Sequence, residues 1–114
     1  MDAYRKAQLQ QAGIDADGML ERFMGNEVLV ERFLKQFLSD GNMQQLTAAL
    51  AAGDNQAALT AAHTLKGVCG NLSMSRLYNL LTRQVAAMRA DDWQSAADLM
   101  PEITQAYHHV IQAL

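Results

Sequence analysis

The sequence predicts an all-α protein, an antiparallel four-helix bundle with one or two short N-terminal helices. Ala, Leu, Gln, Met, Arg and Glu, which favour helices, dominate the stretches between glycines, and β-branched residues are sparse. No segment alternates apolar and polar residues as a half-buried strand does. The expected turns between helices are only two to four residues long, which places successive helices side by side in opposite directions.

Two short helices are expected at the N-terminus. The first covers residues 3–11. The second follows Asp15-Ala16-Asp17, where an aspartate side chain can cap a helix, and it ends near Gly25.

A longer helix with an interruption comes next. Asn26 is a suitable N-cap, and the apolar pattern that follows it stops at the polar run 39–42. The pattern resumes at Met43, so this run either interrupts or kinks the helix. Gly53 then ends the segment, and Asp54 caps the next one.

Three helices are expected in the second half of the chain. The first runs from about residue 54 to 71, and Ser73 starts or caps the second. The last covers roughly residues 92–113. Pro101 lies inside it, and a proline there either kinks the helix or opens a new first turn.

Size, charge and composition exclude several classes of function. With 114 residues and no shift in composition, the chain is expected to be a single domain over 1–114. A net charge of −3 gives no basic footprint for nucleic acid, and the short apolar runs argue against membrane association. The single cysteine, Cys69, favours a reducing, cytoplasmic location. The chain has no glycine-rich phosphate loop for ATP, so we expect no enzyme with its own nucleotide site.

The helix expected over residues 54–71 separates a polar stripe from an apolar one. At 100° per residue, Lys66, Gly67 and Gly70 all lie within about 60° of His63. The apolar stripe points about 140° away from His63. It contains Ala58, Ala62, Leu65, Cys69 and Leu72. His63 is therefore predicted to face away from the core, with two glycines that leave the backbone open to a partner.

The segment His63-Thr64-Leu65-Lys66-Gly67 resembles the signature of histidine-containing phosphotransfer (HPt) domains of two-component phosphorelays. The resemblance continues through Gly70-Asn71-Leu72-Ser73 and reaches back to the segment 23–27, so it covers most of the chain. It implies a phosphocarrier in which His63 accepts a phosphoryl group from a receiver-domain aspartate and passes it to another receiver. Lys66 would neutralise the phosphate oxygens.

The resemblance also implies the partners and their metal. Response-regulator receiver domains, a hybrid sensor histidine kinase or both would dock on a surface that includes Leu59, Thr60, Gly67, Gly70 and Asn71. The Mg²⁺ and the catalytic residues would belong to the receiver, and the carrier itself would be a monomer without a cofactor or metal. His108 and His109 are adjacent and point about 100° apart, so they form no metal site of their own.

One departure from the family pattern concerns the orientation of His63. In the family, a polar residue on the following helix often faces the histidine, but Val85 occupies the aligned position here. The neighbouring Gln84 is the candidate replacement. Two alternatives stay open: a receiver-binding helical module that does not transfer phosphate, and the phosphoacceptor domain of a larger histidine kinase.

Overall fold

The computed structural model describes all 114 residues and contains eight α-helices and no strand. The molecule is elongated, with principal dimensions of 43 × 21 × 20 Å. In chain order the helices are α1 (Ala3–Gln11), α2 (Ala16–Arg22), α3 (Glu27–Phe37), α4 (Asn42–Ala52), α5 (Asn55–Asn71), α6 (Ser75–Arg89), α7 (Trp93–Asp98) and α8 (Met100–Ala113).

The predicted all-α bundle with two short N-terminal helices is confirmed. Its four long segments are α3 with α4, then α5, then α6, and finally α7 with α8. α5 packs against both α4 and α6, and α6 also packs against α7 and α8. Turns of two residues before α5 and three residues after it are too short for any arrangement of these neighbours but an antiparallel one.

Most predicted caps form. The side chains of Asp15, Asn26 and Asp54 each accept a hydrogen bond from the backbone N–H three residues later, at 3.0 to 3.1 Å. Gly53 ends α4 in the left-handed conformation at φ 69°, which glycine adopts at no steric cost.

Ser73 does not cap α6. Met74 occupies the N-cap position, and no side chain accepts a hydrogen bond there. The backbone of Ser73 is instead left-handed, at φ 51°, and its carbonyl accepts a hydrogen bond from the backbone N–H of Asp15 at 2.8 Å. The turn between α5 and α6 is therefore fixed to the start of α2.

Pro101 opens a new helix. α7 ends at Asp98, and α8 begins at Met100 with Pro101 in its first turn. A proline is tolerated in a first turn because the N–H that it lacks would have no partner inside the helix. The last segment of the bundle is thus divided into a six-residue and a fourteen-residue helix.

One apolar core of 29 buried residues draws on all eight helices. Leu9 of α1 and Met19 of α2 are fully buried in it. Arg5 connects α1 to α3 and to the end of α8. Its guanidinium donates two hydrogen bonds to the Glu31 carboxylate of α3, at 2.9 and 3.0 Å, and one to the Ala113 carbonyl of α8 at 2.5 Å. The carboxylate of Glu31 raises the pKa of Arg5 above its ordinary value.

Candidate functional site

The exposed face of α5 carries His63. The predicted apolar stripe on the opposite face is buried throughout, from Ala58 through Leu65 to Leu72, and His63 itself is exposed. The imidazole forms no hydrogen bond or ion pair within the chain. Both ring nitrogens are therefore accessible to a partner, as the helical spacing predicts.

Two features of the sequence hold this face in place. Asp54 caps α5 through the N–H of Ala57, so the helix starts at a defined residue. On the buried side, Leu65 and Cys69 are completely inaccessible to solvent. Burial raises the pKa of the Cys69 thiol to about 12, which keeps this cysteine neutral and unreactive.

Lys66 lies one turn beyond His63, about 4.5 Å further along the helix axis. It is half-buried, and no carboxylate of the chain lies within ion-pair distance of its ammonium group. Its charge is therefore free for a ligand or a partner.

The two glycines of the stripe have different surroundings. A Cβ added at Gly67 would meet no atom within 4 Å, so nothing inside the protein requires a glycine there. A Cβ added at Gly70 would lie 3.1 and 3.3 Å from two ring carbons of Tyr78 on α6. Gly70 therefore has a role inside the fold, since it lets the Tyr78 ring pack on α5, and its role in docking stays a prediction.

The remaining residues predicted for docking lie on or near the same face. Thr60 and Asn71 are exposed, and Leu59 is half-buried against the core. All three are on α5, so the structure brings them together with His63 on one helix.

A comparison with protein families identifies this helix bundle. The family model described as Hpt domain matches residues 29–113, three quarters of the chain. The chain belongs to the Hpt family. Hpt domains are histidine phosphotransfer modules of two-component signalling, phosphocarriers that interact with receiver domains or kinases. Comparisons with curated proteins and with solved structures give no significant match.

The match locates the Hpt segment within the fold. It begins inside α3 and ends with α8, so it includes the whole of α5 and its exposed histidine. The helices α1 and α2 precede it. None of the eight helices is both long and apolar enough to cross a bilayer.

Gln84 forms no hydrogen bond with His63. Its side chain is completely buried, and its Nε2 donates to the carbonyl of Ala96 at 3.0 Å and to the sulfur of Met100 at 3.1 Å. The break before α8 leaves the Ala96 carbonyl without a backbone partner, and Gln84 supplies one. The amide nitrogen is thus bonded to α7 and α8, and the buried Oε1 has no hydrogen-bond partner. Neither atom bonds to His63, contrary to the hypothesis that Gln84 orients it.

Val85, at the aligned position, is buried and cannot hydrogen bond. His63 therefore has no side chain of its own chain within hydrogen-bond distance. On α8, His109 contacts Arg76 at 3.2 Å. The structure holds no group of three His, Cys, Asp or Glu side chains placed to bind a metal ion.

Tyr78 is the residue of this region that the sequence pattern did not identify. Its ring is half-buried over Gly70. Gly70 lies two residues before the turn between α5 and α6, and Tyr78 lies four residues after it. The spacing within either helix gave no signal for this contact.

Proposed function

We propose that this Hpt domain is a phosphocarrier in which His63 accepts a phosphoryl group from a receiver-domain aspartate and donates it to another receiver. The observation that carries the proposal is the exposure of His63, free of any intramolecular hydrogen bond, on a helix whose other face is buried. A histidine that stabilised the fold would have partners within the chain.

The chemistry of the step requires little from the carrier. A nitrogen of the neutral imidazole forms the new P–N bond while the P–O bond to the aspartate breaks, and the carboxylate leaves with the bonding electron pair. The work of the protein is to position the nitrogen in line with that bond and to exclude competing groups. The Mg²⁺ that such a reaction uses is expected on the receiver.

Lys66 and Gly67 support this role in different ways. The unpaired ammonium of Lys66 neutralises negative charge on the phosphoryl oxygens. Gly67 leaves bare backbone one turn from the histidine, so that the receiver can approach without meeting a side chain. Leu59, Thr60 and Asn71 extend the docking surface along α5, and the half-buried Gly70 keeps that surface free of a side chain. The carrier acts as a monomer in the cytoplasm.

The orientation of the imidazole is then left to the complex. Because no side chain of the bundle holds the ring, we expect the receiver and the bound phosphoryl group to select the reactive nitrogen. The same observation favours one second candidate function, a module that binds receivers without accepting phosphate.

Phosphotransfer from a labelled receiver domain tests the proposal. A receiver phosphorylated with ³²P should label the wild-type protein, and the label should be stable in alkali and lost in acid. His63→Gln should take up no label while binding the unphosphorylated receiver as the wild type does. His108→Gln is the matched control and should be labelled normally. Labelling of His63→Gln would refute the assignment, and binding without labelling of the wild type would establish the second candidate.

A further inference from the structure

A polar depression of about 490 Å³ lies beside the histidine face, and it contains two cations from different parts of the chain. One is Lys66 of α5. The other is Arg22, in the last turn of α2, a helix that precedes the segment matched to the Hpt family. Between them, the depression is lined by Gly67, Gly70 and Asn71 of α5.

Arg22 has no partner within the protein. Two other cations of the N-terminal helices are paired, Arg5 with Glu31 and Lys6 with Asp17, but Arg22 forms no ion pair and no side-chain hydrogen bond. Its side chain is exposed. The one carboxylate in the depression belongs to Asp15, which caps α2 by accepting a hydrogen bond from the N–H of Gly18.

The chain carries a net charge of −3, so its overall field repels an acidic partner. The aspartyl phosphate that a receiver would bring to His63 is an anion. Two unpaired cations in one depression, which begins one turn beyond His63 at Lys66, would offset that repulsion locally.

We propose that Arg22 is a recognition residue for the receiver, forming an ion pair with a carboxylate at the edge of the docked receiver surface. This inference rests on the proposed function of His63. It gives the two cations different roles. Lys66 neutralises the phosphoryl group, and Arg22 strengthens the association of the two proteins. Residues outside the matched Hpt segment therefore contribute to the choice of partner.

Phosphotransfer rates measured against receiver concentration test this difference in roles. Arg22→Gln should raise the receiver concentration for half-maximal rate by roughly two- to fivefold, the range of an exposed ion pair, and leave the maximal rate unchanged. The effect should shrink as salt is raised from 50 to 500 mM, because exposed charge pairs are screened. Arg22→Lys should recover most of the wild-type behaviour.

Arg83→Gln is the control of equal charge. Arg83 is exposed on α6 and lines a separate depression beside α7 and α8. The Arg83→Gln variant should keep both the wild-type maximal rate and the wild-type receiver concentration for half-maximal rate. An equal effect of Arg22→Gln and Arg83→Gln would show that only net charge matters and would overturn the inference.

Two further outcomes would also overturn it. Arg22→Gln with wild-type kinetics at every salt concentration would remove Arg22 from recognition while leaving His63 as the phosphoacceptor. A fall in the maximal rate at unchanged half-saturation would place Arg22 in the transfer step. Failure of the proposed function looks different, because the wild-type protein itself would then take no label.

Discussion

Replacing Gly67 with alanine tests whether this glycine is present for a docking partner or for the fold. An alanine in a helix interior is about 0.8–1.0 kcal/mol more favourable than a glycine. At Gly67 the added methyl group meets no atom within 4 Å, so nothing opposes that gain. Gly67→Ala should therefore stabilise the protein by nearly 1 kcal/mol, which raises the Tm of a chain of this length by about 4 °C.

Gly70→Ala is the matched comparison on the same helix. Its methyl group would lie 3.1 Å from the nearest carbon of the Tyr78 ring, closer than ordinary van der Waals contact. Displacing a packed ring costs on the order of 1 kcal/mol, which cancels the helix gain. The two variants should thus differ in Tm by several degrees, with Gly67→Ala the more stable.

The same substitution should impair function if a receiver covers this surface. A methyl group between the two proteins displaces the histidine from the aspartyl phosphate, and misplacement by about 1 Å can slow a reaction by up to 100-fold. We expect Gly67→Ala to unfold at a higher temperature, followed by circular dichroism at 222 nm, and to accept phosphate at least tenfold more slowly. A more stable variant that transfers at the wild-type rate would refute the docking role of Gly67. A variant no more stable than the wild type would refute the claim that the added methyl group meets no atom of the protein.

Two further predictions concern buried groups. Gln84→Ala should destabilise the protein by about 2–4 kcal/mol in urea titrations, because it leaves a cavity and an unpaired Ala96 carbonyl. It should nevertheless keep the wild-type rate of phosphotransfer at temperatures where it is folded; a selective loss of transfer would show that Gln84 does act on His63. Cys69 should resist thiol reagents in the native protein at pH 8 and react in urea. Because its pKa rises from about 9.0 to about 12 on folding, its contribution to stability is complete below pH 9 and is lost between pH 9 and 12, at about 1.4 kcal/mol per pH unit. Cys69→Ala should lack this alkaline slope, and an equal slope in both proteins would contradict the assignment.

The parts of the structure that depend on neighbouring residues could be predicted from the sequence. The cap at Asp54 and the buried stripe through Leu65 are set by spacing within a few turns of one helix, and together they determine that His63 is exposed. The same holds for the end of α4 at Gly53.

What could not be predicted depends on contacts between helices. The Tyr78 ring requires a glycine at position 70. The role of Gln84 is set by a carbonyl twelve residues later, which the break between α7 and α8 leaves without a backbone partner. Arg22 likewise reaches the α5 surface only because α2 packs there. Helical periodicity gives the direction of a side chain on its own helix, but it contains no information about which neighbour meets it.

The hydrogen bonds of Arg5 bear on how far the chain could be shortened from its N-terminus. The family match begins at residue 29, yet the guanidinium of Arg5 connects α1 both to α3 and to the last turn of α8. Leu9 and Met19, also outside the match, fill the same core. Removing the first 28 residues would uncover apolar side chains along α3 and α8. We therefore expect the stable folding unit to include α1 and α2 and to be larger than the segment matched to the family.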